Sequence, residues 1–201
     1  QLGMSHHATE DLSIMRSIPE LSVYSPCSID EVKMLVPDII AKDGPGYLRL
    51  DKSIGIARID SQNYSFEKAT SILKGNDITV LSIGAITSEV YDACKALNKE
   101  ESISCDFLSI HSLKPIDREN ILKSINKTKK VITIEEHSIV GGLGSAIAEI
   151  CSEECINLLK FKRMGLKDEF SSIVGDQNFL RKHYRIDSKS VYDEIKKLVK
   201  E

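Results

Sequence analysis

The chain has 201 residues, with 27 Lys plus Arg against 30 Asp plus Glu, a formal charge of -3, and 41% hydrophobic residues, an ordinary globular composition. A sequence pI near 6.0 argues against nucleic-acid binding through phosphate neutralisation, and no apolar run approaches the roughly 20 residues that a membrane-spanning helix needs. Five cysteines, an odd number without a disulfide-framework spacing, point to a reducing compartment, so the expectation is a cytoplasmic protein of one large or two small domains.

The first segment reads as alternating helix and strand. Thr9 is placed to cap a short helix with Leu12, Met15 and Ile18 on one face, which Pro19 stops. Leu21, Val23 and Tyr24 read as a strand. Ser28 and Glu31 form a capping box before the run Val32, Leu35, Val36, Ile39 and Ile40, with Gly44 past the end and Pro37 expected to kink or split the helix. A second strand covers Gly46 to Leu50. Residues 61–76 are polar, turn-rich and weakly periodic, and are read as a linker.

From Asp77 the alternation is regular. Strands are expected at 78–83, 103–110, 131–135 and 158–161, and helices at 88–97, 118–125, 145–153 and 190–200. Continuous apolar strands separated by helices predict a mostly parallel sheet covered on both faces, a three-layer α/β domain over residues 77–201.

Three places carry candidate chemistry. Ser5-His6-His7 precedes the first helix, where an imidazole can donate to a carbonyl, hydroxyl or phosphate oxygen; the alternative is an exposed polar pair. Gly141-Gly142-Leu143-Gly144-Ser145 joins a strand to a helix; it lacks the Gly-x-Gly-x-x-Gly register and a P-loop lysine, so a tight structural turn competes with a phosphate cradle. Glu135, Glu136 and His137 end a strand, where parallel sheets place ligand-binding residues, or form a polar edge against another domain or subunit. Cys151 and Cys155, four residues apart on an apolar helix, read as core or half-buried thiols with no further metal ligands in register.

In order, Leu2-Gly3-Met4-Ser5-His6-His7 through Ser17-Ile18-Pro19, Gly44-Pro45-Gly46-Tyr47-Leu48-Arg49-Leu50, Asp77 to Gly84, Lys114-Pro115-Ile116-Asp117, Glu135-Glu136-His137 and Gly141 to Ser145 resemble the C-terminal part of thiamine diphosphate-dependent transketolase-family enzymes. The resemblance implies that residues 1–60 are the C-terminal half of a pyrimidine-binding α/β domain and residues 77–201 the family's C-terminal domain. The cofactor-activating glutamate, the magnesium ligands and the diphosphate loop of such enzymes have no counterpart here. Thiamine diphosphate and Mg2+ are therefore expected only in the complete enzyme, with none bound by this segment alone, and Gly141 to Ser145 is not the diphosphate cradle. With Gln1 falling inside the pyrimidine domain, the chain by itself is expected to be inactive.

Residue by residue, His6 matches the histidine that faces the ketol substrate and would donate to a substrate oxygen as charge develops. Lys52 stands where an arginine commonly contacts the substrate phosphate, keeping the charge without the fork. Arg49 matches an arginine of the deoxyxylulose-phosphate synthase branch, or is an exposed strand residue or a structural ion pair; as strand residues the two would point to opposite faces unless a turn intervenes. Leu2 replaces an aspartate that commonly reads a sugar hydroxyl. The implied activity is transfer of a two-carbon ketol unit between sugar or sugar-phosphate substrates, as a homodimer and with a missing N-terminal cofactor-binding domain or subunit. Deoxyxylulose-phosphate synthase, the beta subunit of a 2-oxoacid dehydrogenase, and a non-catalytic assembly domain are the alternatives.

Overall fold

Residues 7–53, 55 and 64–201 are described in the computed structural model, so His6 and Leu2 lie outside the described residues. Helix α1 (Asp11–Ser17) buries Leu12 as expected, but Thr9 does not cap it: the Thr9 hydroxyl donates to the Glu10 carboxylate, and Glu10, at the N-cap, makes no side-chain cap bond. Ile18 falls past the helix end and is exposed.

Strand β1 (Ser22–Tyr24) leads into helix α2 (Ile29–Ala41). The capping box forms, with Ser28 Oγ accepting the Glu31 N–H at 3.0 Å. Its return arm reaches one residue further back, where the Glu31 carboxylate accepts the Cys27 N–H at 2.7 Å. Of the expected kink or split, the split does not occur, since α2 runs on through Pro37. The ring and Lys33, whose carbonyl it leaves without an intrahelical donor, are both exposed, so water can satisfy the freed carbonyl. Strand β2 (Gly46–Leu48) lies parallel to β1, with Ser22 opposite Gly46.

The five-stranded sheet holds β3 (Thr70–Leu73), β4 (Ile78–Ile83), β5 (Cys105–Ser109), β7 (Lys130–Ser138) and β8 (Lys160–Leu166) in the order β3-β5-β4-β7-β8. All neighbours are parallel except β3 with β5. The stretch read as a linker thus contributes an edge strand, whose Ile72 and Leu73 pack against the core. Helices α3 (Thr87–Glu101) and α7 (Ser188–Lys200) cover one face, where Leu97 and Ile195 meet Val80, Phe107 and Ile132. Helices α4 (Arg118–Thr128) and α5 (Leu143–Glu153) cover the other, where Ile121 and Ile147 meet Leu81 and Val131. This is the expected three-layer α/β arrangement. Every residue of β4 is buried, as a central parallel strand requires.

The second cluster also takes in Leu12 and Val23, so the first segment shares a core with the sheet. Strand β6 (Ser112–Lys114), absent from the sequence expectation, leaves the large sheet to pair antiparallel with β1, giving the small sheet the order β2-β1-β6. A seventh helix, α6 (Gln177–His183), was also unexpected. The two cysteines do not share a helix face: α5 ends at Glu153, Cys151 is buried, and Cys155 sits in the left-handed region (φ 50) and is exposed.

Candidate functional site

A cleft of about 940 Å³ separates the first segment, from His7 to Asp11 and Tyr47 to Ser53, from the α/β domain of residues 77–201, near Ser171 to Tyr184. Arg49 and Lys52 both line it. Opposite faces were expected on a continued strand, but β2 ends at Leu48 and the chain turns afterwards.

Arg49 is heavily engaged. Its Nη2 donates to the Glu136 carbonyl at 2.9 Å, and it lies 3.7 Å from Asp11 and 3.8 Å from Asp51. Asp51 in turn accepts the Ala85 N–H at 2.8 Å, and the Tyr47 hydroxyl donates to Asp11 at 2.7 Å. Burial, with the Asp11 carboxylate behind it, pushes the Tyr47 phenol up to about 12, so Tyr47 remains a donor at neutral pH. Lys52 is exposed at the rim, with no ion pair among the described residues.

On the opposite wall, the Glu136 carboxylate accepts from Arg181 at 2.8 and 3.1 Å and from Gln177 at 2.9 and 3.0 Å. Both partners come from α6, which Asp176 caps by accepting the Phe179 N–H at 2.8 Å. Sequence reasoning passed over Asp11, Tyr47, Gln177 and Arg181; the Asp176 cap before Gln177 was the one local signal for α6.

Glu135-Glu136-His137 divides by strand alternation. Glu136 faces the cleft, while Glu135 and His137 are fully buried behind it. The Glu135 carboxylate accepts the Leu143 and Gly144 N–H groups at 2.7 and 2.9 Å, filling the N-terminus of α5. The glycine-rich turn thus wraps a carboxyl group of the chain itself, which already occupies the N–H groups a diphosphate would need. Among the described residues no group of three or more His, Cys, Asp or Glu is placed to hold a metal ion. The glycine-rich turn, filled by the chain's own carboxylate, therefore does not fit a diphosphate.

Burial drives the Glu135 carboxyl from an ordinary 4.5 up to about 7, against the two N–H bonds that favour the anion. Because the folded form holds this proton more tightly than the unfolded chain, its contribution to stability is full below about pH 4.5 and lost as pH rises through 7. The stability of the wild type relative to Glu135→Gln is expected to fall by roughly 3 kcal/mol across that window, read from urea unfolding at several pH values. A flat difference would refute the buried-proton account.

The family model for the transketolase C-terminal domain matches residues 67–191, and that for the transketolase pyrimidine-binding domain matches residues 1–55. The 6-deoxy-6-sulfo-D-fructose transketolase subunit SqwH of a Clostridium species is 37% identical over 94% of this chain and 58% of its own length. A 1-deoxy-D-xylulose-5-phosphate synthase from Halothermothrix orenii is 31% identical over 99% of this chain and 31% of its own length. A solved structure of a split-gene transketolase, described as an inactive beta4 tetramer, superposes with a TM-score of 0.85 at 34% identity, over 98% of this chain and 63% of that one. The chain thus spans less than two thirds of the proteins it matches.

Proposed function

The chain belongs to the transketolase family, whose members depend on thiamine diphosphate, and from that premise we propose that it is the C-terminal part of an enzyme moving a two-carbon ketol unit between sugar or sugar-phosphate substrates. The observation that carries the reading is the cleft itself: its walls come from both segments, and it gathers His7, Arg49 and Lys52. In this reading the N-terminal cofactor-binding part, on the same or a separate chain, brings thiamine diphosphate and Mg2+, and the cofactor supplies the carbanion chemistry. A subunit role is supported by the relative named as a transketolase subunit and by the split-gene structure.

This chain's residues bind and orient. Lys52 takes the anionic end of the substrate as a point charge. Arg49, tied to Asp11, Asp51 and the Glu136 carbonyl, holds the cleft wall rather than offering a free fork. His6, by its match to the family histidine, donates to the substrate oxygen where charge develops. The proposed assembly is a homodimer of the complete enzyme.

The test is turnover of a ketose phosphate by this chain alone and by the chain combined with a cofactor-binding transketolase part, each with thiamine diphosphate and Mg2+. Activity only in the combination is expected. Turnover by the chain alone, or a combination that consumes pyruvate as donor in place of a ketose, would overturn the proposal. In the active combination, Lys52→Met is expected to raise KM for a phosphorylated donor about tenfold, as loss of one charge-assisted bond would, with kcat nearly unchanged. Lys52→Arg should restore KM, and an unchanged KM in Lys52→Met would remove the residue from the binding site.

A further inference from the structure

We infer that His137 is a positioning residue: its buried imidazole closes the N-terminal turn of α1 from across the chain and thereby sets where His7 enters the cleft. Its importance for turnover rests on the ketol-transfer reading above; its structural part does not.

Helix α1 has seven residues and no side-chain cap of its own, too short to hold its shape without outside contacts. The N–H groups of a helix's first turn have no partner inside the helix. The Ser13 N–H finds one in His137 Nε2, 3.3 Å away and 124 positions later in the chain. To accept there, Nε2 must be unprotonated, which leaves the proton on Nδ1. Nδ1 is 2.6 Å from the Ser138 carbonyl, an acceptor, so with the Ser13 donor at Nε2 the ring is held in one neutral tautomer, against the pull of the nearby Glu10 carbonyl for a ring proton. Burial lowers the imidazole below its ordinary value, which favours the neutral ring. The charged groups about it are Glu135, whose carboxylate is 3.6 Å from Nδ1, and Asp11 and Arg49 from the first segment.

The same stretch of β7 and the turn after it grips α1 at further points. The Ser138 N–H donates to the Thr9 carbonyl at 2.7 Å, and Arg16 donates to the Gly141 carbonyl at 3.2 Å. At the other end of α1, Lys114 Nζ donates to the carbonyls of Arg16 and Ile18 at 3.1 and 2.5 Å. Both termini of α1 are therefore closed by side chains from residues 77–201. Thr9 stands two residues after His7, which lines the cleft, so a shift of α1 moves His7. Protonation of Nε2 would set a donor against the Ser13 donor, whereas the cofactor-independent contacts through Ser138 and Lys114 would remain.

Two measurements on the full chain and one on the assembled enzyme test this. Nitrogen-15 NMR of the histidine rings should show His137 with Nδ1 protonated and Nε2 bare; a protonated Nε2 overturns the inference without any variant. Amide exchange of residues 9–17 should quicken at least tenfold in His137→Leu, with β4 and β5 unchanged, and return towards wild type in His137→Gln, whose amide oxygen can take the Nε2 place. Unchanged exchange in His137→Leu also overturns it. In the assembled enzyme His137→Leu should lower kcat about tenfold or more, with Gln restoring most of it; equal kcat in wild type and His137→Leu refutes the positioning role. If the wild-type assembly transfers no ketol unit, it is the functional reading that fails, and the NMR and exchange results still decide the cap.

Discussion

Gly142→Ala is expected to destabilise the chain by roughly 3 to 5 kcal/mol, a fall in Tm on the order of 10 °C for a protein of this size. The backbone at Gly142 is extended (φ -81), so the demand is for space and not for a left-handed conformation. A Cβ there would lie 2.0 Å from a Glu135 carboxylate oxygen and 2.7 Å from His137 Nδ1, both in fully buried side chains already held by hydrogen bonds. Moving the carboxylate breaks its bonds to the Leu143 and Gly144 N–H groups, both in buried residues at the start of α5. Each buried donor left without a partner costs about 1 to 3 kcal/mol. The decisive measurement is a double-mutant cycle in urea. With Glu135→Ala already in place, Gly142→Ala should cost at least about 1 kcal/mol less, because the nearer clash has gone while that with His137 remains. Strict additivity of the two substitutions would show that the carboxylate and the glycine do not share the space.

Arg181→Ala is expected to cost about 3 kcal/mol, at the lower end for breaking a buried ion pair because its acidic partners keep some contact with water. The Arg181 side chain is only 4% exposed. Its guanidinium donates to Glu136 at 2.8 and 3.1 Å and to Glu89 at 3.4 Å. Glu89 lies in the first turn of α3 and also accepts the Ser188 N–H at 2.8 Å, where α7 begins. One side chain therefore ties α6, the cleft end of β7 and the junction of α3 with α7. Its removal leaves two carboxylates facing each other without a cation, so the loss exceeds that of a surface pair. Arg181→Lys should recover less than half, since an ammonium cannot reach both carboxylates as a fork does. Urea midpoints give the cost, and amide exchange over residues 177–183 should show α6 released first. An Arg181→Ala chain within about 0.5 kcal/mol of wild type would mean that the pairs contribute nothing beyond their desolvation.

Local pattern and tertiary context contributed in different proportions along the chain. β4, α3, α4 and α7 were legible because each has enough residues for its apolar period to repeat. α7 is the clearest case, with Val191 and Ile195 on the core as the spacing required. β3 and β6 were not legible: β3 lies in a polar, turn-rich stretch and β6 is three residues directly before Pro115, so neither carries a strand pattern of its own. Pro37 was legible as a disturbance of the helix, but that α2 is not split there depends on its carbonyl partner lying on the solvent side.

The site divides in the same way. Lys52 and Arg49 were found from motif matches, and both line the cleft, but only the structure separated their roles by surrounding Arg49 with Asp11, Asp51 and the Glu136 carbonyl. Glu135-Glu136-His137 was identified as either a ligand-binding end or a packing edge. Alternation along β7 sends Glu136 into the cleft and buries its two neighbours against the α5 turn and α1. Periodicity and motif order, which depend on neighbours along the chain, determined the α/β class and the family from the sequence by itself. Which carboxylate neutralises which cation, and which imidazole closes which helix, was decided by tertiary structure alone. Those partners stand as far as 133 residues apart, and they meet because burial of the shared core around Leu12, Val23 and Leu81 brings the two segments together.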